Sequence, residues 1–181
     1  MKLLFTILFI LTIVNAQTLE IQGKAPKAVE YVDAKKFSGL WYEIARTYNS
    51  FEKNCVASTV EYILKEPLRY EIKNKCFDTY IGGKTIQYNG KAKPSNENIM
   101  SKIDITYFWV FTKEYRIIHL EKDYSSAVLV DEDMEYVWIM NRTPFMDKKK
   151  LDSILLSLEK HMDLSKLIYT PHDSKGVTNE K

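Results

Sequence analysis

Arg69-Tyr70-Glu71-Ile72-Lys73-Asn74-Lys75-Cys76-Phe77 decides the fold class. Arg69, Glu71, Lys73 and Lys75 are charged, and the residues between them, Tyr70, Ile72, Asn74 and Cys76, are less polar. A period of two sends successive side chains to opposite faces, so this stretch is a strand with one face in a core and the other in water. Pro67 marks a turn before it and Gly82-Gly83 a hairpin after it. Upstream, Ser58, Val60, Tyr62 and Leu64 share one face, and aromatic-rich Leu40–Tyr48 follows Gly39. Downstream, Thr85–Lys93 carries small Gly90 and Ala92 on one face, and Pro94-Ser95-Asn96 turns the chain again. Ile103, Ile105 and Tyr107 alternate with Lys102, Asp104 and Thr106. Tyr115–Leu120, Ser126–Val130 and Glu135–Asn141 complete the series, with Asp131-Glu132-Asp133 between the last two. Short strands joined by short turns leave edges that closure into a barrel removes. The expected fold is all-β, an eight-stranded antiparallel up-and-down barrel. A content of 13% aromatic residues agrees with that weighting toward strands.

One helix is expected outside the barrel. Asp147 caps it, and Leu151, Ile154, Leu155, Leu158 and Met162 follow at spacings of three and four, forming one apolar stripe. Leu167-Ile168-Tyr169 reads as a ninth short strand. The barrel with its helix is assigned to 31–170, an extended leader to 17–30 and a loose polar tail to 171–181.

Residues 1–16 read as a secretory signal. Lys2 precedes an apolar run, Leu3–Val14, and Val14-Asn15-Ala16 offers a cleavage site after Ala16. The run is too short to span a bilayer, which takes about 20 residues. No cysteine lies near the cut, so the expectation is export without a lipoprotein anchor, to the periplasm or the extracellular space. Cys55 and Cys76 are the only cysteines. In an exported chain they suggest a disulfide; the alternative is a reactive thiol. A formal net charge of +2 argues against nucleic acid as the partner.

Four further stretches carry a family resemblance. Phe37-Ser38-Gly39-Leu40-Trp41-Tyr42-Glu43-Ile44-Ala45-Arg46 resembles the first lipocalin signature, Gly-x-Trp at the start of the first strand. Phe51-Glu52-Lys53-Asn54-Cys55 is similar to the loop that follows it in the bacterial lipocalin and apolipoprotein D-like subgroup. Asp123-Tyr124-Ser125-Ser126-Ala127-Val128 resembles the second signature, and Tyr136–Pro144, containing Arg142, the third. The match runs in order from Val29 to Tyr169. The resemblance implies a barrel closed at one end by Trp41, with Gly39 allowing a sharp turn and Arg142 laid across the indole. All three are then structural.

The resemblance also implies a hydrophobic ligand of the fatty acid or lysophospholipid class, carried or stored in the cavity for lipid transport or membrane maintenance. Alternation supplies the expected lining: Val60, Tyr62, Tyr70, Ile72, Ala92, Ile103, Ile105, Tyr107, Ile117, His119, Val128, Tyr136, Trp138 and Met140, with Ser58, Leu64, Gly90 and Val130 on the same faces. Apolar walls with a few hydroxyls suit a hydrocarbon tail with one polar head. The rival reading is a lipid-modifying enzyme of the same fold using a free cysteine thiol. No nucleophile elbow, phosphate loop or His-Glu-x-x-His is present, so catalysis is not expected. No cofactor or metal is expected either: of His119, His161 and His172 only His119 is assigned to the cavity, and one histidine makes a poor metal site. The expected partners leave room for contact with a membrane surface and for a monomer or a homodimer.

Overall fold

The computed structural model describes residues 25–96 and 99–173. The expected signal segment, most of the leader and most of the tail lie outside the described residues. A short helix, α1 (Ala34–Phe37), is capped by Asp33, whose carboxylate accepts from the backbone N–H groups of Lys35 and Lys36. Eight strands follow: β1 (Gly39–Arg46), β2 (Cys55–Glu66), β3 (Arg69–Asp78), β4 (Thr85–Pro94), β5 (Lys102–Tyr107), β6 (Phe111–Leu120), β7 (Ser126–Val130) and β8 (Val137–Asn141). Each is antiparallel to the next, and β1 bonds to both β2 and β8, so the sheet closes on itself. Helix α2 (Lys148–Leu158) starts at Asp147, whose side chain accepts from Lys150 N. The ninth strand, β9 (Ile168–Tyr169), adds to β1.

Two apolar clusters divide the barrel wall. The inner one surrounds Trp41 and includes Phe37, Tyr62, Tyr70, Ile72, Ile103, Ile117 and Leu129. The outer one lies under α2, where Ile154 and Leu158 meet Ile44, Val128, Val130, Val137 and Ile139. Strand β7 is therefore buried on both faces. Its run of small and branched apolar residues has no polar side to reveal the phase.

The barrel wall has an interruption. β1 pairs with β2 only from Gly39 to Tyr42, and its far end pairs with β9 through Ala45↔Tyr169 and Arg46↔Ile168. Ala57 of β2, at φ 51°, donates its N–H to Pro171 O at 2.9 Å. Thr170 N donates to Ile44 O at 3.0 Å. The segment from Ile168 to Pro171 thus fills the gap where β1 and β2 diverge. Residues 171–173, expected to be loose, are held: a ring nitrogen of His172 lies 2.7 Å from Glu43 O. At the other end of the chain, Ala25 N donates to Glu132 O and Val29 N to Ile117 O.

Candidate functional site

The base of the barrel is locked by the residues the signatures name. Trp41 is fully buried and donates its indole N–H to Phe37 O at 2.9 Å. The Arg142 guanidinium lies 3.7 Å from the Trp41 ring centroid. Its Nη1 donates to Leu40 O at 2.8 Å, its Nη2 to Lys36 O, Phe37 O and Ser38 O, and its Nε to Tyr124 O at 3.2 Å. One side chain thus ties α1, the start of β1 and the β6–β7 turn together. Burial lowers the Arg142 pKa to about 10, which leaves it charged at neutral pH. Gly39 has φ +96°, a conformation that L side chains rarely adopt, and a Cβ there would sit 3.4 Å from Arg142 Nη1. Above this plug, Phe37, Tyr62 and Tyr70 pack as tilted and edge-on rings, and Tyr70 Oη donates to Ala34 O at 2.7 Å.

The other end is hollow. A cavity of about 420 Å³ opens between the β1–β2, β3–β4, β5–β6 and β7–β8 connections. Of the residues expected to line it, Val60, Tyr62, Ile105, Tyr107, Tyr136, Trp138 and Met140 do so, as does Ser58. Tyr70, Ile72, Ala92, Ile103 and Ile117 are also inside the barrel, but in the filled half around Trp41. Val128 and His119 are not in the cavity. Val128, with Val130, faces outward into the cluster beneath α2, and Ala127 and Leu129 face inward. His119 follows an irregularity in the β6–β7 register between Ile117 and His119, which leaves it opposite outward-facing Val128. Its Nε2 lies 3.3 Å from a Glu121 carboxylate oxygen.

Several lining residues escaped the alternation argument: Tyr115, Leu129, Ile86, Tyr88, Asn74 and the hairpin residues Phe108, Val110 and Phe111. Phe51, Tyr88 and Phe108 come from three different segments, and their ring centroids lie 6.1–6.2 Å apart pairwise across the mouth. Deeper, Tyr107 lies against Gly90, where a Cβ would come within 2.7 Å of the ring, and Tyr107 Oη accepts from Asn74 Nδ2 at 2.8 Å. Burial pushes the Tyr107 phenol up to about 12, so it stays neutral.

One part of the wall is ionic. Glu43, 3% exposed, accepts from Arg46 Nη1 at 2.8 Å and from the Thr170 hydroxyl. Arg46 Nη2 donates to Glu52 O at 2.5 Å. The Glu52 carboxylate accepts from Asn49 Nδ2 at 2.5 Å and from the Trp138 indole N–H at 3.1 Å. Desolvation, with the negative charge of Glu52 nearby, raises the Glu43 pKa to about 8 against the pull of Arg46. The first signature contains Glu43 and Arg46, but a Glu and an Arg three residues apart on a strand give no sign that a bulge will turn both into one buried cluster.

Cys55 and Cys76 form a disulfide in the cavity wall, tying the start of β2 to β3. Neither carries a free thiol, so thiol-based lipid chemistry lacks its nucleophile.

Comparison with known proteins gives concordant results. A family model described as a lipocalin-like domain matches residues 32–172. The outer membrane lipoprotein Blc of Escherichia coli strain K12 is 30% identical over 148 residues, covering 80% of this chain and 83% of that protein. Apolipoprotein D of Rattus norvegicus is 30% identical over 177 residues, covering 91% and 90%. The crystal structure of insecticyanin from the tobacco hornworm Manduca sexta superposes with a TM-score of 0.68 at 17% identity, over 84% of this chain and 87% of that one. These findings correct the expected location. Export without a lipoprotein anchor rested on there being no cysteine beside Ala16, whereas the bacterial relatives are named outer membrane lipoproteins, so that expectation is withdrawn.

Proposed function

The chain belongs to the lipocalin family, whose members bind small hydrophobic ligands, and from that premise we propose that it carries or stores a single-chain lipid, a fatty acid or a lysophospholipid, without catalysing its conversion. The observation that carries this reading is the cavity of about 420 Å³, apolar along β2, β5, β7 and β8 and polar at Glu43 and Glu52, at Lys75 and Lys113 and at a few hydroxyls and amides. Its size falls within the range of small-molecule sites. Burying an acyl chain is worth about 0.8 kcal/mol per methylene, so about ten methylenes suffice for micromolar affinity with no special contact to the head. The joined cysteines support binding over chemistry.

Organic extraction of the purified protein and mass spectrometry of the extract should return single-chain lipids. Ser58 lines the cavity and its hydroxyl has no hydrogen-bond partner, so Ser58→Phe fills the cavity without breaking a bond. That variant should take up a lysophospholipid at least about tenfold more weakly than wild type, as expected when a ligand loses a side chain's volume of apolar contact. Equal uptake by the two proteins, with nothing in the extract, would overturn the reading.

A further inference from the structure

The β5–β6 connection is a hairpin whose tip is Phe108-Trp109, flanked by Tyr107 and Val110. Both tip residues have positive φ, 51° and 62°. Two successive left-handed positions in a hairpin turn are ordinarily filled by Asn and Gly, and bulky side chains in this region are outliers. Trp109 stands clear of the cavity and is 91% exposed, and Val110 and Phe111, on the cavity rim, are 73% and 66% exposed. From Ile105 to Thr112 the chain has no charge. An exposed apolar patch of this kind marks an interaction site.

We propose that this hairpin docks the cavity mouth on a zwitterionic lipid bilayer, with Trp109 and Val110 entering the interfacial layer. Tryptophan favours that layer, where an apolar ring meets water and head groups. The surrounding charges fit a zwitterionic surface. Exposed Lys53 and Lys84 lie on neighbouring connections at the same end, and exposed Asp133 and Glu135, beside a Glu132 paired with Arg116, lie on another. The lysines match lipid phosphates and the acids match head-group ammonium groups, whereas a strongly anionic surface would repel the acidic side. The tip is also continuous with the mouth, since Phe108, Val110 and Phe111 line the cavity as well. A docked barrel therefore opens directly onto the lipid.

The test uses the purified full chain and phosphatidylcholine vesicles. Wild type should co-sediment with the vesicles, and its tryptophan emission should shift to the blue on binding; Trp41 is fully buried and Trp138 is the partly buried indole of the cavity wall, so the part of the shift that Trp109→Asn removes belongs to Trp109. Trp109→Asn suits the left-handed backbone and spares the fold; it should lose the blue shift and about tenfold in partition, as expected for one large apolar side chain. Ser58→Phe, with its cavity filled, should still bind vesicles. Partition of Trp109→Asn equal to wild type would overturn the proposal. Binding confined to anionic vesicles and removed by salt would do so too, by assigning it to the lysines. Loss of vesicle binding in Ser58→Phe would show lipid extraction by the cavity instead of docking. Self-association dependent on Trp109 without vesicle binding would assign the tip to a second copy of the chain.

Discussion

Arg142 makes its contacts through the shape of its guanidinium as much as through its charge. Five donor contacts reach carbonyls on three segments, and the same plane covers Trp41. A lysine keeps the charge but offers neither the fork nor the plane. Arg142→Lys should therefore lose about 3 kcal/mol in urea unfolding, the combined scale of a half-buried cation–π contact and hydrogen bonds from a charged donor. Its role was legible because Gly-x-Trp and the closing Arg form a pattern that survives without context. Glu43 illustrates the opposite case. Its folded pKa, about 8, lies above the usual 4.5, so the folded state holds the proton more tightly than the unfolded chain. Stability from this group is complete below pH 4.5 and falls as pH rises through 8. Burial lowers the His172 pKa, which acts in the opposite sense at and below pH 6.5. Between pH 6.5 and 8, urea midpoints should fall for wild type, and Glu43→Gln should flatten that slope.

At the scale of elements, alternation located the strands well wherever one face meets water. β3 and β4 appear almost as their residues suggest, because their outward residues are charged or polar. It lost the phase in β7, where α2 supplies a second core, and at the end of β6, where one extra residue turns His119 outward and Leu120 inward. The amphipathic helix itself was legible, and an outward apolar face beneath it follows from that helix. The β5–β6 hairpin was invisible for another reason: Phe108-Trp109 contains none of the residues that announce such a turn. Holding two bulky residues in the left-handed region costs roughly 1–2 kcal/mol each. Replacing them together by Asn-Gly should therefore raise the thermal midpoint, read by circular dichroism, while removing the exposed indole.

For the whole molecule, the family resemblance reached the fold and the closed base, and half of the fourteen ligand residues expected from strand periodicity fall on the cavity wall. The polar corner and the aromatic mouth depend on contacts between segments far apart in the chain, such as Glu43 with Thr170 and Phe51 with Phe108, which no local pattern encodes. The C-terminal segment from Ile168 to Pro171 has its own consequence at this scale. It stands in the sheet where β1 and β2 separate, directly behind the Glu43–Arg46 corner of the cavity. A chain ending before Ile168 would keep its base lock and its mouth yet have a lateral window at mid-height. A stored hydrocarbon would then meet solvent from the side, so Ile168 to Pro171 determine whether the container leaks.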